Sequence, residues 1–298
     1  MAKNDNSVRR AMVSAPLEFE AFEPQSSVAM LEIGAGSVRG RLRAYNSDHY
    51  LAVKITRGLE TLVTSLAEAN RPPSFEEHGY ALLVADGIGS NGESAQASRA
   101  ALSALAHLAI QYGKWNVRVD DDTAAVITEQ IRLFYRLTDH ALRRVSHRFP
   151  GTGLKTSLTM VAVAGADAFF ASVGNSKAFL FREGDLISLG TNRTEVEQER
   201  PGGNSHQHVD SLFTKVVGGD SSGTDVDIEH IKLSPSDRLM LSTNGLTDVV
   251  TEAEIADGLA LRRRPDEDCE QLLDLAVLAG SSDDVTVMVA DYRETQRR

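Results

Sequence analysis

Ala81-Leu-Leu-Val-Ala-Asp86-Gly87-Ile-Gly89-Ser-Asn-Gly92-Glu93 is an apolar run that ends on an aspartate and passes at once into a glycine-rich turn. Such a run reads as a buried strand that delivers one carboxylate to the sheet edge, where glycines let the backbone come close to an ion or a phosphate. Asp86 is therefore the first candidate for chemistry.

Upstream of that strand, an apolar run over 27–33 is punctuated by Gly34-Ala-Gly36, and 38–45 alternates, which predicts a hairpin. A further strand is expected over 50–55, and the buried one covers 80–85. Downstream, helical spacing predicts helices over 94–112 and 123–148; in the second, Ile127, Ile131, Phe134, Ala141, Leu142 and Val145 form an apolar stripe. Asp121-Asp122-Thr123 supplies capping groups and favourable negative charge at its start. After Gly153 the pattern changes to strands over 157–164, 168–173, 178–182 and 186–189, read as an antiparallel meander. The polar stretch 190–225 is too long for a simple turn and reads as a mobile flap. Strands over 227–232 and 238–242, helices from 252 and over 266–278, and a last strand over 285–291 complete the chain. This order suggests a sheet-on-sheet core covered by helices rather than a doubly wound parallel sheet.

Composition narrows the class of protein. The 298 residues are 42% hydrophobic and 24% charged with 8 prolines, as expected of a globular chain with one large core. A net charge of −11 argues against nucleic-acid or anionic-membrane partners, which need clustered Lys and Arg. The one basic triplet, Arg262-Arg263-Arg264, reads as a solvated helix end. The single cysteine, Cys269, permits no internal disulfide and is expected to be structural in a reducing compartment. With no apolar stretch of signal-peptide or membrane-span length, a cytoplasmic location is expected. The domain reading is a loosely held arm over 1–27, one domain over 28–293, and a tail over 294–298.

Four apolar strands lead to or from polar clusters: Arg43-Ala-Tyr-Asn46-Ser47-Asp48, Asp86-Gly87, Ser242-Thr-Asn244-Gly245-Leu-Thr-Asp248 and Ser281-Ser-Asp283-Asp284-Val-Thr286. Each alone is an ordinary turn. Together with Thr156-Ser157-Leu-Thr159 and Gly174-Asn175-Ser176-Lys177, their order over 28–293 resembles the metal-dependent protein phosphatases of the PPM, or PP2C, family. That resemblance implies an α+β fold of two packed antiparallel sheets flanked by helices. It also implies hydrolysis of phosphoserine or phosphothreonine in a phosphorylated protein, with two Mg²⁺ or Mn²⁺ ions roughly 3.5–4 Å apart activating water. By the same resemblance Asp86 bridges the ions, the Gly87 carbonyl binds one and Asp283 the other, and Arg43 binds the substrate phosphate as a fork of donors. Asn175 and Asn244 fall where the family holds an accessory ion, Asn244 also at a central ion, and Asp48 in the outer shell.

The chain departs from the family's carboxylates at three of these positions. Ser47 stands for Glu, and Asn175 and Asn244 stand for Asp, which leaves Asp86 and Asp283 of five anions. Fewer anions hold divalent cations more weakly, although an amide oxygen still serves as a neutral ligand. Asp48 and Asp284 are the carboxylates placed to compensate by moving inward. Two readings follow: a phosphatase with weakened metal binding that Mn²⁺ serves better than Mg²⁺, or a pseudophosphatase that grips a phosphoprotein without cleaving it. Oligomeric state is left open.

Overall fold

A computed structural model describes residues 29–72, 74–89, 92–113, 119–146, 153–190, 216–219 and 225–294. In chain order these residues form β1 (Ala29–Val38), β2 (Asp48–Leu59), β3 (Phe75–Ile88), α1 (Glu93–Tyr112), α2 (Asp121–Ser146), β4 (Lys155–Ala164), β5 (Asp167–Val173), β6 (Lys177–Arg182) and β7 (Asp185–Leu189). Then follow β8 (Val217–Gly218), β9 (Asp227–Lys232), β10 (Arg238–Ser242), the single turn α3 (Asn244–Thr247), α4 (Glu252–Ala260), α5 (Pro265–Leu278) and β11 (Val285–Glu294).

Two antiparallel sheets are built, in the orders β1-β11-β10-β6-β7 and β2-β3-β4-β5-β9, with β8 attached to β4. Successive strand residues point to opposite faces, so β3 divides its apolar run between two cores. Leu82 and Val84 meet Leu239, Leu241 and Met288 between the sheets. Leu83 and Ala85 face Ala97, Ala101, Leu105, Phe134 and Leu142 of α1 and α2. Burial on both faces is the reason the run does not alternate. A third core packs Met240, Val287 and Val289 against Ile255, Leu259 and Leu272 of α4 and α5. The result is the helix–sheet–sheet–helix layering expected of the chain.

Three local expectations change. β1 runs unbroken through Gly34 and Gly36, pairing with β11 along its whole length, and 39–47 is a loop rather than the second arm of a hairpin. A Cβ on Gly34 would collide with the Pro265–Asp266 backbone, so this glycine serves close packing of α5 and not a turn. The meander is also split, since β4 and β5 lie in one sheet and β6 and β7 in the other. Of the expected flap, β8 pairs with Lys155 and Thr156, while 191–215 and 220–224 lie outside the described residues, as do the arm over 1–27 and residues 295–298.

The basic triplet follows α4 and is engaged rather than merely solvated. Arg262 lies over the Phe181 ring at 5.6 Å and donates to the Ser236 carbonyl, Arg263 reaches Asp268, and Arg264 pairs with Asp266 and Glu267. Cys269 is buried, and burial pushes its thiol up to about 12, which makes it unreactive. Among the described residues, no helix is long and apolar enough to cross a membrane.

Candidate active site

The ladder between β2 and β3 sets Asp48 directly opposite Asp86, so both carboxylates stand on one face at one end of the sheet. On its other side Asp86 is opposite Ser157 of β4. The turn between α5 and β11 brings in Asp283 and Asp284, and the β1–β2 loop brings in Arg43. Its Nε and Nη2 both donate to Asp283 Oδ1, at 2.7 and 2.6 Å.

The scaffold beneath these groups is a hydrogen-bond web between the two sheets. Thr243 Oγ1 donates to Asp48 Oδ2 at 2.7 Å and accepts the Thr286 N–H at 2.9 Å, which ties the ends of β10 and β11 to β2. Thr156 Oγ1 donates to the Asp86 carbonyl at 2.7 Å. Ser47 Oγ meets Ser94 Oγ at 2.7 Å, and Ser98 Oγ donates to the Ser47 carbonyl at 2.6 Å, which fix α1 to the loop. Gly87 is required here, because a Cβ at this position would collide with the Ser94 carbonyl.

Electrostatically the edge is acid-rich. Asp86 is held well above the usual carboxylate range, first by burial and then by the charges of Asp48 and Asp283, with Arg43 pulling the other way. Burial likewise pushes Asp48 up to about 7, helped by Asp284 and Asp283 and opposed by the Thr243 and Thr286 hydrogen bonds. Arg43 stays firmly charged: burial works against its guanidinium, but the hydrogen bond and charge of Asp283 outweigh it.

The residues singled out from sequence therefore gather only in part. Asp48, Asp86, Gly87, Asp283 and Arg43 share the edge. Asn244 opens α3 and its Nδ2 donates to Asp248 at 2.9 Å, while Asn175 lies in the β5–β6 connection beside Ser176, whose Oγ meets Ser157 Oγ at 2.6 Å. Asp284 does not turn inward: its Oδ1 accepts the Gly40 N–H at 2.9 Å and its Oδ2 the Ser47 N–H at 2.7 Å. Thr243 and Thr286, which orient Asp48, were not singled out for a role. Both stand inside the quoted motifs, but nothing local marks a hydroxyl as the partner of a carboxylate 195 residues away.

Two observations bear on a metal ion. The buried Asp48–Asp86 pair has Asp283 and Asp284 nearby and, among the described residues, the Arg43 guanidinium as its cationic neighbour, and such excess negative charge on hard oxygen donors suits a divalent cation. Asn175 Oδ1 is buried and has no hydrogen-bond partner among the described residues, an acceptor placed for a cation or water. Against this, the described residues contain no group of three or more His, Cys, Asp or Glu side chains gathered as a cage. The donor set fits one hard cation at Asp86 and is thin for a second.

Comparison with known proteins agrees with this architecture. A family model described as protein phosphatase 2C matches residues 74–275. The serine/threonine protein phosphatase PstP of Mycobacterium tuberculosis is 27% identical over 243 residues, which cover 78% of this chain and 45% of that protein. The chain thus spans about half the length of this relative. Among solved structures, a serine/threonine phosphatase of S. agalactiae superposes with a TM-score of 0.67 over 90% of this chain and 100% of its own, at 19% identity. The catalytic domain of PstP in complex with two manganese ions gives 0.65 over 89% and 100%, at 23% identity. Similarity at these identities shows the fold, and the family match extends over more than half of the 298 residues. The chain belongs to the protein phosphatase 2C family.

Proposed function

We propose that this protein is a metal-dependent serine/threonine protein phosphatase with a reduced metal site. The observation that carries the reading is the edge itself: Asp86 and Asp48 opposed and buried, with Arg43 beside them on Asp283. Family membership and the relatives' names support the reaction class, and the manganese bound by PstP supports the choice of ion.

Asp86, Asp283 and the Gly87 carbonyl are the groups that would hold a Mg²⁺ or Mn²⁺ ion, with Asp48 behind Asp86. When bound, the ion supplies polarisation of the phosphoryl group and acidification of water. Arg43 would offer its planar fork to phosphate oxygens on releasing the Asp283 Oδ1 that its Nε and Nη2 hold, and would fix the monoester against the edge. Thr243 holds Asp48 in one orientation, and the Ser47–Ser94–Ser98 web keeps Gly87 in place. A negative edge also repels phosphate, so Arg43 and a cation are both needed to bring substrate in.

A phosphoprotein-binding role without turnover is favoured by one feature: Asp283 is occupied by Arg43, and Ser47, Asn175 and Asn244 bring no charge. Hydrolysis of a phosphoserine peptide in millimolar Mn²⁺, set beside an Asp86→Ala control, decides between them; equal rates in the two proteins would leave only the binding role. In the enzyme reading, Asn244→Asp tightens Mn²⁺ binding about ten-fold by calorimetry and raises turnover, because one carboxylate is returned near the ion.

A further inference from the structure

The β1–β2 loop is clamped along its length. Asp284 takes the N–H groups of Gly40 and Ser47, the Leu42 N–H donates to the Ser282 carbonyl at 3.4 Å, and Arg43 is held by Asp283. Within the loop, Arg39 Nη1 donates to the carbonyls of Arg43 and Ala44 at 3.1 and 3.2 Å. Three side chains take no part in this clamp and point outward. Arg41 is exposed and has no hydrogen-bond or ion-pair partner among the described residues, Leu42 is 81% exposed and Tyr45 66%.

A backbone already fixed loses little freedom on binding, and Arg and Tyr are the residues in which interface centres are enriched. The charge is also out of character. In a chain with 42 acidic against 31 basic residues, the segment Arg39-Gly-Arg41-Leu-Arg43 has three arginines and no acid. A guanidinium with no ion-pair partner among the described residues attracts anionic chains, which a net charge of −11 otherwise disfavours.

We propose that Arg41, Leu42 and Tyr45 form a docking surface for the peptide flanking a phosphorylated residue, and that it selects phosphoproteins with an acidic and an apolar residue beside the phosphate. Arg41 pairs with the acidic side chain, and Leu42 and Tyr45 cover the apolar one, while Arg43 takes the phosphate. This surface rests on the phosphatase reading for its phosphate but not for its flanking contacts.

The test uses the full chain with Mn²⁺ and two fluorescent peptides containing a non-hydrolysable phosphonate analogue of phosphoserine, one flanked by Glu and Leu, the other by Lys and Ser. Anisotropy is expected to show tighter binding of the acidic peptide. Arg41→Glu lowers that affinity about ten-fold or more and reverses the preference, and the Leu42→Ala/Tyr45→Ala pair weakens the acidic, apolar peptide by about ten-fold. Hydrolysis of p-nitrophenyl phosphate, which has no flanks, stays unchanged in these variants. An acidic-to-basic preference that survives Arg41→Glu overturns the docking surface even if p-nitrophenyl phosphate is turned over. An Arg41-dependent preference without any turnover upholds the surface and removes the catalytic reading instead.

Discussion

Two clusters of buried charge in this molecule are built to opposite rules. Arg238, 1% exposed, is enclosed by Asp268 and Asp291, with the Leu259 and Arg263 carbonyls accepting its remaining N–H groups and Arg263 also reaching Asp268. Every charge there has a counter-charge inside the fold. At the other cluster Asp48, Asp86, Asp283 and Asp284 have the Arg43 guanidinium as their counter-charge among the described residues, and Asp284 accepts two backbone N–H groups, which solvate its charge without cancelling it. A balanced cluster serves the fold, whereas an excess of buried anion is a cost that a bound cation offsets.

The largest expected difference between the clusters comes from breaking the balanced one. Arg238→Ala leaves Asp291 without its cation and Asp268 with only the longer Arg263 contact, and costs about 3–5 kcal/mol in urea unfolding, with no recovery on adding Mn²⁺. A smaller loss would show that the cluster is better solvated than its burial indicates.

The acid-rich edge is expected to show itself in the pH dependence of stability. Because Asp48 is raised from 3.8 to about 7 when folded, the native protein binds more protons than the unfolded chain between those values. In EDTA the contribution of this group is therefore complete below about pH 4 and is lost as pH rises to about 7, with a slope no steeper than about 1.4 kcal/mol per pH unit. Thermal unfolding between pH 4 and 8 measures it; Mn²⁺ should flatten the upper limb, and Asp48→Asn should make the slope shallower, leaving the part that the raised Asp86 contributes.

The smallest effect on stability is also opposite in sign to the first. Asp86→Asn deletes a repelled carboxylate, so at pH 7.5 in EDTA it stabilises the fold by an amount on the order of 1 kcal/mol, while under the proposed enzyme reading activity with Mn²⁺ falls about 100-fold or more. Loss of stability on this substitution would mean that Asp86 is compensated within the protein and that the two clusters are alike.

Much of this was legible along the chain. The apolar run ending at Asp86, the helical stripe from Ile127 to Val145 and the ordered motifs were enough to place the layers, name the family resemblance and find the missing anions at Ser47, Asn175 and Asn244. Gly34 and Gly36 misled, because a glycine that ends a strand and one that admits a helix leave the same mark in sequence. The strands over 168–173 and 178–182 likewise have the same pattern whether they share a sheet or part between two.

What the sequence determined by itself was local: periodicity, burial, the residue types at each strand end and the net excess of acid. Tertiary structure alone decided that Asp48 stands opposite Asp86, that Asp284 clamps a loop instead of joining the acids, and that Arg43 reaches a carboxylate 240 residues away. The physical reason is that periodicity reports only which face of an element is buried. Strand register and the partner of a charged side chain are chosen by packing between segments that no local window contains.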